Sequence, residues 1–184
     1  MSQNFVASNN INLLLPIGQF GTRNMGGKEA ASARYIFTAL SPVTRTLFPD
    51  QDDPVLSYLE EEGQSIEPNF YLPIVPLALI NGAEGIGTGW STFIPQHNPR
   101  DVVTNIRNMM ASKAYIPMHP WYKGYTGEIV EIEGKHMVTG IYNVNGEDEL
   151  EITELPIGKW TRDYKTFLEE LVLKEVVEDI REYH

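Results

Sequence analysis

Arg34 and Tyr35 stand side by side at the end of a short alanine-rich segment. Ahead of them lies a glycine-rich loop with two bases: Gly18, Gly21, Arg23, Gly26, Gly27 and Lys28. A phenol can attack phosphorus once something lowers its pKa from about 10. A neighbouring guanidinium offers paired donors to phosphate oxygens. Glycines let backbone N–H groups approach a phosphate closely. Arg23, Lys28, Arg34 and Arg45 add positive charge. Together these residues suit an anionic polymer lying in a groove with a tyrosine on its rim. The plainer reading is a core tyrosine beside a surface arginine, and spacing alone does not separate the two.

Several elements must position this pair. Residues 30–33, rich in Ala, predict a helical turn or two. Ile36-Phe37-Thr38 is β-prone. Ser41-Pro42 reopens a helix, with Ser as N-cap and Pro in the first turn, and that helix runs to Phe48 with Val43, Leu47 and Phe48 inward. On the other side, Ile11 to Leu15 predicts a short buried strand or helix end, stopped by Pro16.

Further along, Asp50, Asp52 and Asp53 lie between Pro49 and Pro54. They read as a solvated acidic turn rather than a magnesium site. A hairpin is predicted around Glu60-Glu61-Glu62-Gly63-Gln64, and Pro73 and Pro76 argue against a central strand in the first half of the apolar run from Tyr71 to Ile80. Gly82, Gly85, Gly87 and Gly89 lack the G-x-G-x-x-G spacing of a dinucleotide site, so a tight loop with positive φ is expected. Asn98-Pro99-Arg100-Asp101 opens a helix whose apolar stripe is Val102, Val103, Ile106 and Met109 or Met110. From Gly127 the pattern alternates, and Asn145-Gly146 marks a turn, so an antiparallel sheet is expected. Thr161 then caps a helix with Tyr164, Phe167, Leu168, Leu171 and Val172 inward. His119, His136 and His184 lack ligand spacing, so no metal is assigned.

The chain has 184 residues and a net charge of −11, which by itself opposes DNA binding. The distribution is uneven. Residues 1–49 hold four bases and one acid, a net +3, whereas the other ten bases and twenty-four acids leave −14. There is no cysteine, which fits a reducing interior. No apolar run is long enough for a membrane span, and no secretory signal precedes the polar MSQN start.

GQFGTR, then GGK, then AASARYIFT, then NGAEGIGTGWST together resemble the breakage-reunion region of eukaryotic-type DNA topoisomerase II, and more distantly the corresponding part of bacterial gyrase. The likeness runs from QNFVASNN to REYH. Phe70 departs from it, since members usually have tryptophan there. The resemblance implies an α+β fold: a winged-helix-type DNA-binding domain at 1–97, then part of an antiparallel-sheet-plus-helix tower domain at 98–184, with the end falling inside the tower. It implies that Tyr35 is the DNA-cleaving nucleophile and Arg34 its catalytic neighbour. Gln19, Arg23 and Lys28 are expected to contact DNA, and Ile86 to wedge between base pairs.

The implied enzyme is an ATP-hydrolysing isomerase, a nuclear homodimer acting on double-stranded DNA through a transient 5′-phosphotyrosine. Its Mg2+ and ATP belong to domains absent from this chain, so the chain alone is expected to be inactive. Two other readings compete. One is a non-catalytic DNA-binding or scaffold module. The other is a nucleotide-binding enzyme built on Gly82–Gly89.

Overall fold

Tight turns decide the architecture. In Glu62-Gly63 and Glu133-Gly134 both residues take positive φ, the conformation whose twist matches two antiparallel strands. The first turn joins β1 (Tyr58–Glu61) to β2 (Gln64–Pro68), as the sequence predicts. Two further hairpins are β3 (Ala83–Gly87) with β4 (Trp90–Ile94), and β5 (Glu128–Ile132) with β6 (Lys135–Thr139), which closes on Glu133-Gly134. The fourth pairs β7 (Ile141–Asn145) with β8 (Glu149–Glu154) around Gly146. This computed structural model describes residues 1–183; His184 and its sequence reading lie outside the described residues.

Among the described residues, four α-helices accompany the hairpins: α1 (Thr44–Leu47), α2 (Leu77–Ile80), α3 (Pro99–Met110) and α4 (Thr161–Leu173). The start of α3 follows the sequence reading. Asn98 caps it by accepting the Arg100 N–H at 3.0 Å, with Pro99 in the first turn. Val102 and Asn105 are its buried face, whereas Met109 and Met110 are exposed.

Other expectations need correction. The sheet expected from Gly127 is two separate hairpins. At Gly140 between them, a Cβ would stand 2.1 Å from the Glu154 carbonyl oxygen, so a side chain has no room there against the end of β8. The helix expected at 42–48 is the single turn α1, entered through a turn in which the Thr44 N–H donates to Ser41 O at 2.9 Å while the Ser41 N–H donates to Leu13 O at 2.9 Å. Helix α4 begins at Thr161 with Trp160 at the cap position and no side-chain cap bond, and its Phe167 is exposed.

The apolar core is thin. Leu47, Ile80, Val102 and Tyr122 are its buried hydrophobic members. A polar hub reinforces it. The Asn10 side chain, 4% exposed, shares its two amide hydrogens among the carbonyls of Ile80 (2.9 Å), His97 (3.1 Å) and Trp121 (3.0 Å) and accepts the Lys123 N–H at 2.8 Å. One amide thereby satisfies backbone groups from three distant segments.

A second buried constraint joins residues 131 positions apart. The Arg23 guanidinium is salt-bridged to Glu154 and donates to Leu155 O at 2.8 Å. Glu154, whose side chain is 5% exposed, also accepts the Thr126 N–H (3.1 Å) and hydroxyl (2.7 Å). Burial pushes the Glu154 carboxyl up, but the Arg23 guanidinium and both Thr126 donors outweigh it and hold the group below its ordinary 4.5.

These contacts set the expected cost of breaking them. Asn10→Ala strands three carbonyls and one N–H, and is expected to cost about 3 kcal/mol or more in denaturant unfolding. Asn12→Ala, which loses one local bond to Leu14 O, is expected to cost about 1 kcal/mol. Because the Glu154 pKa is lowered on folding, its stabilisation is complete above the unfolded value and is lost as pH falls through the folded one. Glu154→Gln is therefore expected to cost about 1.5–3 kcal/mol at neutral pH. It should also flatten the acid limb of the stability curve below pH 4.5; equal acid sensitivity in both proteins would contradict this.

Candidate functional site

The glycine-rich loop closes on itself before it meets anything else. Gly21, at φ +94°, lies so close to Gly27 that a Cβ on it would stand 2.4 Å from the Gly27 Cα. Gly26 lies against the Trp160 indole, 2.2 Å from where a Cβ would be. Neither position has room for a side chain. Glu29 braces the interior of the loop by accepting the Thr22 N–H at 2.7 Å and the Thr22 hydroxyl. That hydroxyl is the main reason the Glu29 carboxyl is held below its ordinary value. The Arg162 N–H grips the loop from outside, donating to Asn24 O at 3.0 Å. Phe5 packs edge-on against Trp160, with ring centroids 6.1 Å apart.

The loop hands the chain directly to the tyrosine. The Ala31 N–H donates to Gln19 O at 2.9 Å, so the alanine segment is drawn back to the start of the loop and forms no α-helix. The Tyr35 N–H donates to Ser32 O at 2.9 Å, closing a 3₁₀ turn over Ala33–Tyr35. Phe37 then exchanges both backbone bonds with Ile17 (2.8 and 3.1 Å), and the Leu15 N–H donates to Ala39 O. The β-prone residues after Tyr35 thus form an antiparallel bridge rather than a full strand. Tyr35 stands where loop and ladder meet. Its side chain projects outward with 66% exposure, and the Arg34 guanidinium lies 5.0 Å from its ring centroid, within cation–π range.

The other sequence-predicted residues divide into groups. Gln19 and Lys28 are exposed on the same loop. Gln19 Oε1 accepts the Gly21 N–H at 3.2 Å. Lys28 Nζ lies 3.9 Å from an Asp163 oxygen, a surface pair weak enough to yield to a phosphate. Arg23 turns inward to Glu154. Arg45, counted among the groove's bases, is held by Asp50 (2.9 Å) and Asp53 (3.0 Å). Its pKa is raised, chiefly by the hydrogen bond to Asp53. The acidic segment at Asp50–Val55 is a 3₁₀ helix.

Ile86 lies on β3, opposite Ser91, and is 87% exposed. Here the structure corrects the expected tight loop. Gly82 and Gly89 have positive φ, but Gly85 and Gly87 are strand residues of a hairpin. Nothing crowds the Cβ position of Gly85, so Ile86 stands clear of its neighbours on the strand. Trp90 and Phe93 on β4 are also exposed.

Neither implied cofactor fits these residues. The run 82–89 turns back as a β-hairpin and opens no helix, so it forms no phosphate cradle for ATP. Asp50 and Asp53 are committed to Arg45. Among the described residues, three potential metal ligands converge only at His119, Glu131 and His136. That set does not match the oxygen octahedron magnesium demands. The fold does bring His119 and His136 together, although their spacing in sequence gave no sign of it.

The sequence reading also missed Glu154, Trp160 and Asn10. For Glu154 a signal existed: it shares the parity of Leu150 and Ile152, placing an acid on the apolar side of an alternating strand. Asn10 and Trp160 carry no such local mark.

Comparison with known proteins agrees with this fold. The family model for the DNA gyrase/topoisomerase IV A-type subunit matches residues 1–184. DNA topoisomerase 2 of Arabidopsis thaliana is 57% identical over 176 residues, covering 93% of this chain and 12% of the relative. DNA topoisomerase 2 of Pisum sativum is 55% identical over 190 residues, covering 99% and 13%. The crystal structure of the Plasmodium falciparum topoisomerase II DNA-binding, cleavage and re-ligation domain superposes with a TM-score of 0.88 at 54% identity, covering all of this chain and 25% of that one. The chain thus spans about an eighth of the length of these curated relatives. With its mixed helices and antiparallel hairpins and its exposed Arg34–Tyr35 pair, the chain belongs to the DNA gyrase/topoisomerase IV A-type family, on its eukaryotic DNA topoisomerase 2 side.

Proposed function

We propose that this chain is the part of an ATP-dependent type II DNA topoisomerase that carries the DNA-cleaving tyrosine. The observation that carries the reading is Tyr35: an exposed phenol with a guanidinium against its ring, fixed at the junction of a glycine-rich loop and a backbone ladder. The reaction is a transesterification. The Tyr35 oxygen gives up its proton and attacks a DNA phosphorus, the phosphorus–O3′ bond breaks, and O3′ takes up a proton in exchange and leaves as a hydroxyl. One phosphodiester replaces another, so the reverse step reseals the strand without outside energy. Arg34 can leave the ring face to meet the charge that builds on the phosphate oxygens.

The other residues bind and position the duplex. Lys28 and Gln19 meet the backbone at the loop surface. Arg23 contributes by holding that loop in place from within. Ile86 on the β3–β4 hairpin wedges between base pairs, and the unstacking it costs is offset by the contacts that bent DNA makes. A winged-helix domain at 1–97 and a partial tower at 98–184 remain the division we propose, stitched together by Asn10, Arg23 and Gly26. Magnesium, which would supply charge neutralisation at the cleaved phosphate, and ATP find no fitting set among the described residues, and we assign both to other domains of a full-length, homodimeric nuclear protein.

The test is denaturant-trapped cleavage by this chain fused behind a metal-binding half from the same family, with plasmid and magnesium. Protein is expected covalently at DNA 5′ ends. Tyr35→Phe should lose the adduct entirely, and Arg34→Ala should lower it at least about tenfold while leaving DNA binding intact. A folded, dimeric fusion that binds plasmid but never cuts it would instead support the scaffold reading. Ile86→Ala is expected to reduce DNA bending measured by energy transfer between end-labelled dyes; unchanged bending would refute the wedge.

A further inference from the structure

We infer that His119, Glu131 and His136 form a binding site for a first-row divalent metal ion, with Zn2+ the best match. The site is separate from the proposed cleavage chemistry and does not rest on it. Glu131 and His136 are directly opposite partners on β5 and β6, which places their Cβ atoms about 5 Å apart on one face of the hairpin. His119 arrives from another direction and is well anchored. Its neighbour Pro120 bridges His97. The next residue, Trp121, donates its N–H to Gln96 O at 2.7 Å and gives its carbonyl to the Asn10 hub.

The ligand atoms of the three side chains all lie within 4.8 Å of one another. His119 Nδ1 is 3.7 Å from Glu131 Oε2, and the two imidazoles meet edge to face at 6.0 Å between centroids. Ligands about 2.0–2.1 Å from a tetrahedral zinc stand about 3.3 Å apart. The set therefore needs only small side-chain rotations to close, and all three side chains are exposed enough to make them. Two imidazoles and one carboxylate are a recurrent zinc set, with water completing the shell on the open side. Soft-to-borderline nitrogen donors favour zinc over magnesium or calcium.

Such an ion would pin the hairpin near its tip. The base is already tied, since the Tyr125 hydroxyl donates to Thr139 O at 2.6 Å. Among the described residues, no backbone hydrogen bond from outside the β5–β6 ladder reaches residues 131–136.

The test uses the tag-free full chain in metal-free buffer, titrated with zinc chloride by calorimetry. Co2+ absorption and 1H–13C spectra of the histidine rings serve as second readouts. One equivalent of Zn2+ is expected, with tetrahedral Co2+ bands and shifted resonances for two rings. Slower amide exchange is expected at residues 131–136. His119→Ala and His136→Ala should each weaken binding at least about tenfold, the loss that even outer-shell partners of a metal site cause. Glu133→Gln, a neighbouring acid outside the cluster, should leave it unchanged. No saturable binding, or saturable binding that survives either histidine substitution, would overturn the proposal.

Discussion

The Arg23–Glu154 ion pair is the constraint on which the site depends. It ties a loop near the start of the chain to the last strand of the fourth hairpin. Glu154 also accepts both Thr126 donors, so one carboxylate holds three segments. Removing one member of a buried pair costs more than the pair contributes, because the remaining charge is left without a partner. Breaking it would remove one of the contacts that hold the loop from Gly21 to Gly27, alongside the Gly26–Trp160 packing and the Arg162 N–H bond to Asn24 O. That loop fixes the Ala31–Gln19 contact from which the Tyr35 turn begins. The tyrosine is therefore positioned by residues far away in sequence, while its own side chain stays open to solvent.

This arrangement suits a chain with a thin core. Few hydrophobic side chains are buried, and many large ones, including Ile86, Trp90 and Phe93, face outward. Buried polar hubs do much of the positioning that apolar packing does elsewhere. Asn10 satisfies backbone groups of the last residue of α2, the segment before α3 and the segment that follows α3. Such bonds are directional, so they fix register as well as proximity. A nucleophile that must meet a phosphate within tenths of an ångström needs that kind of constraint.

Local features were legible in the sequence. Asn98 and Pro99 announce α3 because capping is a matter of adjacent residues. The turns at Gly63 and Gly146 do the same for two hairpins. The tyrosine motif was legible because four motifs occur in a fixed order. What stayed hidden depends on distance. The alanines of residues 30–33 have high helix propensity, yet a bond from Ala31 to Gln19 takes their backbone elsewhere. Arg23 looked like a surface base because its partner lies 131 residues on. Gly85 and Gly87 looked like loop residues because glycine is depleted in strands, although here their bare backbone isolates Ile86. His119 meets His136 only through the hairpin between them.

The central claim is that Tyr35, and none of the other eight tyrosines, becomes joined to DNA. Mass spectrometry of the trapped cleavage product tests it most directly. After nuclease and protease digestion, the expected result is a nucleotide remnant on the peptide containing Tyr35, attached through a 5′ phosphate. A remnant on a different tyrosine, or attached through a 3′ phosphate, would contradict the account.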